Sequence, residues 1–224
     1  MKRKRVVRPG VRSGYDKWAQ DYDRTINPVV ALERRHAMSL LRPRHNERII
    51  DAGCGTGVHL RSMQRAGSQP IGVDFSHGML CVAQRNNPGV RLVEADLNRQ
   101  LPFTRHAFDA FLCGLVSEHL TSLPTLFSEA FGSLKAGGRL VFCAFHPEPA
   151  SAGIEANFTH HDVEFRLGAE PHSVDDYLNH IDDAGFGDVR WATYCGDAAL
   201  AKAIPQASKY IGAPLLLTIT ALRP

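Results

Sequence analysis

No run of apolar residues in this 224-residue chain approaches the length needed to cross a bilayer, and no leader-like apolar segment follows its basic start. A cytoplasmic protein is therefore expected. Cysteine is scarce: five residues, odd in number and far apart (Cys54, Cys81, Cys113, Cys143 and Cys195), with no C-x-x-C pair. That excludes a disulfide framework and a zinc-finger module, and it suits reduced thiols in core strands. The sequon Asn157-Phe158-Thr159 is then a chance match. Eleven histidines are present, but none forms an H-x-x-x-H pair, so no metal site is expected. Excess charge is missing as well, with 26 Lys and Arg against 23 Asp and Glu. Six of the basic residues (Lys2, Arg3, Lys4, Arg5, Arg8 and Arg12) fall in the first twelve positions, so the body of the chain is slightly acidic. A domain that grips nucleic acid carries its positive charge on the folded body. Residues 1–12 are expected to be a disordered basic tail, with an RNA-binding arm as the weaker reading.

What is present centres on Ile49-Ile50-Asp51-Ala52-Gly53-Cys54-Gly55-Thr56-Gly57. An apolar run leads through an acid into a loop with glycine at alternate positions, and a helix-like segment, Val58 to Ala66, follows. This is a strand whose end turns tightly into a helix, with a backbone that a ligand can approach closely. The loop lacks both features that would bind phosphate. Its spacing is G-x-G-x-G and not the G-x-G-x-x-G of dinucleotide folds, and no Gly-Lys-Ser/Thr ends it.

Strand-like segments ending in acids follow. Pro70 to Phe75 carries Asp74 at its end, 23 residues past Asp51, where a carboxylate can accept both hydroxyls of a ribose. Val90 to Leu97 carries Asp96, which is either a second ligand group or the cap of a turn. Phe108 to Cys113 and Arg139 to Phe145 read as further strands, separated by a helix over 124–134 and a Lys135–Gly138 turn. Ser173 caps a helix over 174–184, with Asp176 completing a capping box. A strand over 186–194, a helix over 198–210 and a last strand over 213–222 close the chain. With 44% hydrophobic residues and no repeats, this is one α/β domain over 13–224.

The strings D-A-G-C-G-T-G (Asp51–Gly57), G-V-D-F-S (Gly72–Ser76), E-A-D-L (Glu94–Leu97), L-P-F (Leu101–Phe103) and L-K-A-G-G-R-L-V-F (Leu134–Phe142) resemble the motifs of class I S-adenosylmethionine-dependent methyltransferases. The resemblance implies a Rossmann-like fold: a seven-stranded, mostly parallel sheet of order 3-2-1-4-5-7-6, its last strand antiparallel. It also implies S-adenosylmethionine as cofactor, leaving as S-adenosylhomocysteine. The cofactor would lie against Tyr22, Asp51, Gly53, Gly55, Asp74, Phe75, Met79, Asp96, Leu97 and Cys113. His119 stands where relatives often carry His; it is read equally as a general base or as a group that orients the loop, and Glu118 beside it is a weaker candidate for the base.

Two segments are left to shape an acceptor site. One is a helical cap over 13–42, interrupted near Asn27-Pro28, where Tyr15, Trp18 and Tyr22 share a face. The other is a long insertion over 146–172, read as a substrate-covering flap. Tyr15, Trp18, Ser117, His146, Phe158 and His160 are the candidate acceptor contacts, Phe158 as a stacking surface. No Asn/Asp-Pro-Pro-Tyr/Phe motif of base-amino methylases is present, and no added RNA- or protein-binding domain is expected. A small metabolite acceptor is expected, with transfer to N or O and no membrane partner. The head and flap are similar to bacterial secondary-metabolite N-methyltransferases, the group that methylates azapteridines such as toxoflavin. RNA methylation guided by the basic head, or a cofactor-binding subunit without catalysis, are the alternatives. Monomer and homodimer are both left open.

Overall fold

The computed structural model describes residues 5–151 and 153–224. The chain opens with β1 (Arg5–Val7) and α1 (Val11–Trp18), passes a single 3-10 turn at Tyr22–Arg24, and enters α2 (Pro28–Leu41). The interruption falls at Asn27-Pro28 for a physical reason. Pro28 has no N–H to give to a preceding turn, and the Asn27 side chain accepts from the N–H groups of Val29 and Val30 as an N-cap.

Strands and helices then alternate: β2 (Arg48–Ala52), α3 (Val58–Arg65), β3 (Gln69–Asp74), α4 (His77–Asn86), β4 (Arg91–Glu94), β5 (Phe108–Gly114), α5 (Leu123–Ser133) and β6 (Leu134–Phe145). The insertion holds α6 (Pro147–Ser151), β7 (Asn157–His160) and β8 (Val163–Arg166). The chain ends with α7 (Val174–Asp183), β9 (Gly187–Cys195), α8 (Ala198–Ala203) and β10 (Pro214–Leu222). The main sheet runs β4-β3-β2-β5-β6-β10-β9, the expected order, and β10 is antiparallel to both neighbours. Strand order reverses between β2 and β5, so the ligand crevice of an open α/β sheet lies at their C-terminal ends.

Both faces of the sheet are buried. Phe108, Phe111, Phe127, Phe142, Tyr177 and Ile181 pack on one side, and Leu32, Leu41, Ile49, Met63, Leu112 and Val141 on the other. At roughly 1.5–3 kcal/mol for each large apolar side chain removed from water, these two layers hold the frame rigid around the crevice. Among the described residues, no helix is long and apolar enough to cross a membrane.

Three expectations are corrected. The basic start does not fray from residue 5 onward. Its β1 pairs in parallel with β8, and Arg8 makes a two-pronged ion pair to Glu155 at 2.7 and 2.8 Å, so the head is stapled to the insertion. Positions 1–4 of the expected tail lie outside the described residues. The helix over 198–210 is split, because Pro205 ends α8 and a 3-10 turn (Pro205–Tyr210) replaces its second half. The Lys135–Gly138 turn is absorbed into β6 as an irregularity in its pairing with β5, with Gly137 in the left-handed region.

The cap and insertion form one unit. β1, β8 and β7 make a separate three-stranded sheet, and Trp18, Phe158 and Leu167 are buried together beneath it. Two acids of the cap fasten this unit to the loops at the sheet's C-terminal edge. Asp16 Oδ1 accepts from Ser76 Oγ (2.7 Å) and from Gly78 N–H (2.9 Å) at the start of α4. Asp23 Oδ1 accepts from Thr56 Oγ1 in the glycine loop (3.0 Å) and from Arg34 (2.8 Å).

Candidate functional site

β2 brings Asp51 to the sheet's edge, and the glycine loop then turns through left-handed angles at Gly53, Gly55 and Gly57 (φ 77°, 51° and 80°). A Cβ on Gly53 would stand 2.1 Å from Val116, whereas one on Gly55 would meet nothing within 4 Å. The loop is therefore tightly seated on one side and open at Gly55, where a ligand can approach the main chain. Asp74, at the end of β3, closes the loop: its Oδ2 accepts from Gly55 N–H (2.9 Å) and its Oδ1 from Ser76 N–H (2.8 Å). Burial pushes this carboxyl up, and those backbone N–H groups pull against the shift.

Three recesses meet here. The first is lined by Gly53, Gly55, Asp74, Phe75, Met79, Asp96 and Leu97, and is roofed by Tyr15, Tyr22 and His119. The second lies behind the loop and holds Asp51, Glu33, Arg34, Thr56 and His59. The third, of about 530 Å³, opens between the cap and the insertion and is lined by Tyr15, Trp18, Tyr22, Asn27, Leu115, Glu118, Phe145, Phe158 and Tyr210. Tyr22 and Leu115 border all three. Leu115 has φ 54°, a left-handed angle costly for a branched side chain, so strain is stored where the recesses join.

Among the described residues, four buried side-chain polar atoms have no hydrogen-bond partner: Asp51 Oδ2, Asn87 Oδ1, Glu118 Oε2 and His119 Nδ1. Three of the four belong to residues lining these recesses. A folded core does not leave such groups unpaired without cost, so their concentration marks the place where stability yields to binding. Asp51, almost wholly buried, is pushed up to about 7 by that burial, against the pull of His59. For His59, burial disfavours charge, but the hydrogen bonds from its Nε2 to both Glu33 oxygens (2.8 and 2.9 Å) and the nearby negative charges lift its pKa overall. The His119 pKa is lowered by burial, opposed by Glu118, and its Nε2 lies 2.9 Å from the Tyr15 hydroxyl. Burial raises both Tyr15 and Tyr22, so both phenols keep their protons near neutrality.

Asp51 yields a pH prediction. Its carboxyl titrates near 4 in an unfolded chain and about 7 here, so folding favours the protonated form. The penalty for ionising it is absent below pH 4, grows through the interval and is complete above pH 7, reaching at most about 4 kcal/mol. Asp51→Asn should raise the melting temperature of the ligand-free protein at pH 8 by several degrees and leave it unchanged at pH 4. An equal shift at both pH values, read by thermal unfolding, would refute the buried unpaired carboxylate.

Several expected site residues are elsewhere. Cys113 is wholly buried in the core against the inner face of the sheet, and burial raises its thiol far from reactivity. Phe158 offers no free ring face, since Trp18 stacks on one side (4.7 Å) and Phe165 on the other (4.9 Å). Trp18 is covered in turn by Tyr15 (5.9 Å), and its Nε1–H donates to Thr25 Oγ1 (2.9 Å). Both rings build the wall of the third recess and are not stacking platforms. Ser117 is buried and accepts from the Tyr177 hydroxyl (3.0 Å). His146 accepts from Glu148 N–H at the start of α6 (3.3 Å) and lines none of the three recesses. His160 packs on His161 and faces Asp21 at 3.9 Å, outside the recess. Glu33 and Arg34 were missed, although Glu33 interrupts the core-facing side of α2 between Leu32 and Ala37, and such an interruption is the signal of a paired buried acid. Asn98 and Leu120, also in the first recess, carry no such signal.

Residues 50–142 match the methyltransferase domain family model. The chain is 34% identical over 143 residues to the demethylmenaquinone methyltransferase of Tropheryma whipplei, an alignment covering 61% of this chain and 60% of that protein. The chain thus matches about three fifths of the length of this curated relative. Its fold is similar to that of a S-adenosylmethionine-dependent methyltransferase from Mesorhizobium loti (TM-score 0.73, 22% identity, 88% of this chain and 100% of that one). It is also similar to that of a (4+2)-cyclase (TM-score 0.71, 18% identity, 98% and 99% covered). The domain match spans β2 to β6, and the fold around it is the α/β Rossmann-like architecture of the methyltransferases.

Proposed function

We propose that this chain transfers a methyl group from S-adenosylmethionine to a nitrogen or oxygen of a small, flat metabolite. The observation that carries this reading is the junction at Tyr22 and Leu115, where a recess lined by the glycine loop, Asp74 and Asp96 borders a separate cavity. The residues suit the cofactor. Asp74 retains lone pairs for ribose hydroxyls, and Asp96, with Leu97 beside it, suits an adenine edge. The unpaired Asp51 Oδ2 and the Glu33–His59 pair suit the charged amino-acid tail, with Arg34 nearby for its carboxylate. The loop offers no lysine for a phosphate.

When bound, S-adenosylmethionine supplies a methyl group made electrophilic by its sulfonium. The work left to the chain is alignment and exclusion of water, and proximity of this kind accounts for much of the barrier reduction in such displacements. Tyr15 and Tyr22 separate the two recesses and can hold both reactants in line. Tyr15 can take the proton released by the acceptor and pass its own to His119 Nε2, whose lowered pKa keeps it free to accept. A flat heteroaromatic bearing a ring N–H, of the azapteridine kind, suits a cavity walled by Tyr15, Tyr22 and Tyr210. Titration calorimetry with S-adenosylmethionine and S-adenosylhomocysteine tests the reading; micromolar binding of both is expected, and binding of neither would overturn it. Because the cyclase shares this fold, the second reading is cofactor binding without methyl transfer. Product S-adenosylhomocysteine formed with any acceptor would exclude it.

A further inference from the structure

The charge of the acceptor can be read from its cavity. Among the described residues, none that lines the third recess is Lys, Arg or His. Two carboxylates face it, Glu118 and Glu155. Glu155 is fully engaged: Arg8 holds both of its oxygens, Gly168 N–H donates to Oε2 (2.8 Å), and Arg166 stands 3.8 Å away. Glu118 is different, for its Oε2 is buried and has no partner. It stands at the end of β5's loop, beside His119, and borders a further recess under α6 and the start of α7. That recess adds Glu148, Glu170 and Asp176, and its one basic residue among those described, His172, donates from Nε2–H to the Leu120 carbonyl (2.9 Å). The two recesses that Glu118 borders therefore carry acids in their walls, and Glu118 keeps an oxygen without a hydrogen-bond partner.

A buried carboxylate oxygen without a donor calls for one from the ligand. An anionic acceptor would instead set a second negative charge beside Glu118, with no Lys, Arg or His among the described lining residues to offset either. Resting on the methyltransferase reading above, we propose that the acceptor is an amine or a neutral N–H heteroaromatic, that anionic carboxylates and phosphates are excluded, and that Glu118 selects it by accepting an N–H. Aromatic rings from Tyr15, Tyr22 and Tyr210 along the walls favour the same partner, since ring faces attract positive and not negative groups. An acidic heterocycle would accordingly enter in its protonated, neutral form.

Matched probes test this. The protein loaded with S-adenosylhomocysteine is titrated calorimetrically with tryptamine and with indole-3-propionate, which share a ring and differ in the sign of charge at the chain end. Tryptamine should bind at least tenfold more tightly. In Glu118→Gln, which keeps shape but not charge, the ratio should fall to within threefold, and in Glu118→Lys it should reverse. Equal binding, preference for the carboxylate, binding of neither probe, or a ratio untouched by Glu118→Gln would each overturn the proposal. The first titration with S-adenosylhomocysteine separates the two readings, because its failure refutes the cofactor site before any acceptor is added. Binding of S-adenosylhomocysteine by both variants shows that they have folded.

Discussion

Replacing Asp74 with alanine should weaken S-adenosylmethionine binding by at least about 100-fold, the largest loss expected from a single substitution in this chain. Each carboxylate oxygen of Asp74 already accepts one backbone N–H, from Gly55 and from Ser76. Each has a further lone pair, and Asp74 lines the recess at the end of β3, where a ribose would present its two hydroxyls. Hydrogen bonds to a charged group contribute about 1.5–3 kcal/mol each, so losing two is worth several kcal/mol. The substitution also frees Gly55 N–H, and the glycine loop loses the acceptor that fixes its open side. Asp74→Asn separates these effects. The amide oxygen can keep one backbone N–H but cannot accept from two hydroxyls as a carboxylate does, so affinity should fall about tenfold while the melting temperature changes little. Calorimetry gives the affinity and thermal unfolding the stability. Wild-type affinity in Asp74→Ala would remove ribose recognition from this position altogether.

Asp74 and the glycine loop were legible in the sequence because their chemistry is local. A strand, a turn and an acid within a few residues determine the backbone angles and the position of the carboxylate. The α/β class follows from the same alternation of apolar runs and helices, and the sheet order is what the motif resemblance implies. The acceptor side was not legible for the opposite reason. Phe158 reads as an exposed ring in a loop, and becomes the middle of a stack only once β7 pairs with β8 and α1 lays Trp18 across it, some 140 positions away. Arg8 reads as one more charge in a basic tail until it meets Glu155. Glu33 and His59 belong to different helices, and only the packing of α2 and α3 beside the loop makes them a pair. Contacts of that range are set by tertiary packing, which no window of residues contains. The strained Leu115 and the unpaired oxygen of Glu118 belong to the same class.

The second large effect concerns the proton. His119 Nε2 lies 2.9 Å from the Tyr15 hydroxyl, and Tyr15 borders both the cofactor recess and the acceptor cavity. If Tyr15 passes a proton to His119, removal of either should cost about the same as removal of both, because a relay with one missing member does not conduct. General acid–base groups contribute roughly 10²–10⁴-fold to rate. Tyr15→Phe and His119→Ala are each expected to lower turnover by about 100-fold, and the double variant by little more than either. Affinity for S-adenosylhomocysteine should stay within a few-fold in Tyr15→Phe, which keeps the ring that roofs the recess. The pH profile supplies an independent sign. Burial lowers the His119 pKa, so the imidazole must lose its proton before it can accept one. Wild-type turnover should rise with pH through a midpoint below the ordinary histidine value near 6.5 and be flat above it. That limb should vanish in His119→Ala. Additive losses in the double variant would show that the two groups act separately, with His119 orienting the loop and not taking the proton. A limb preserved in His119→Ala would assign the titration to another group.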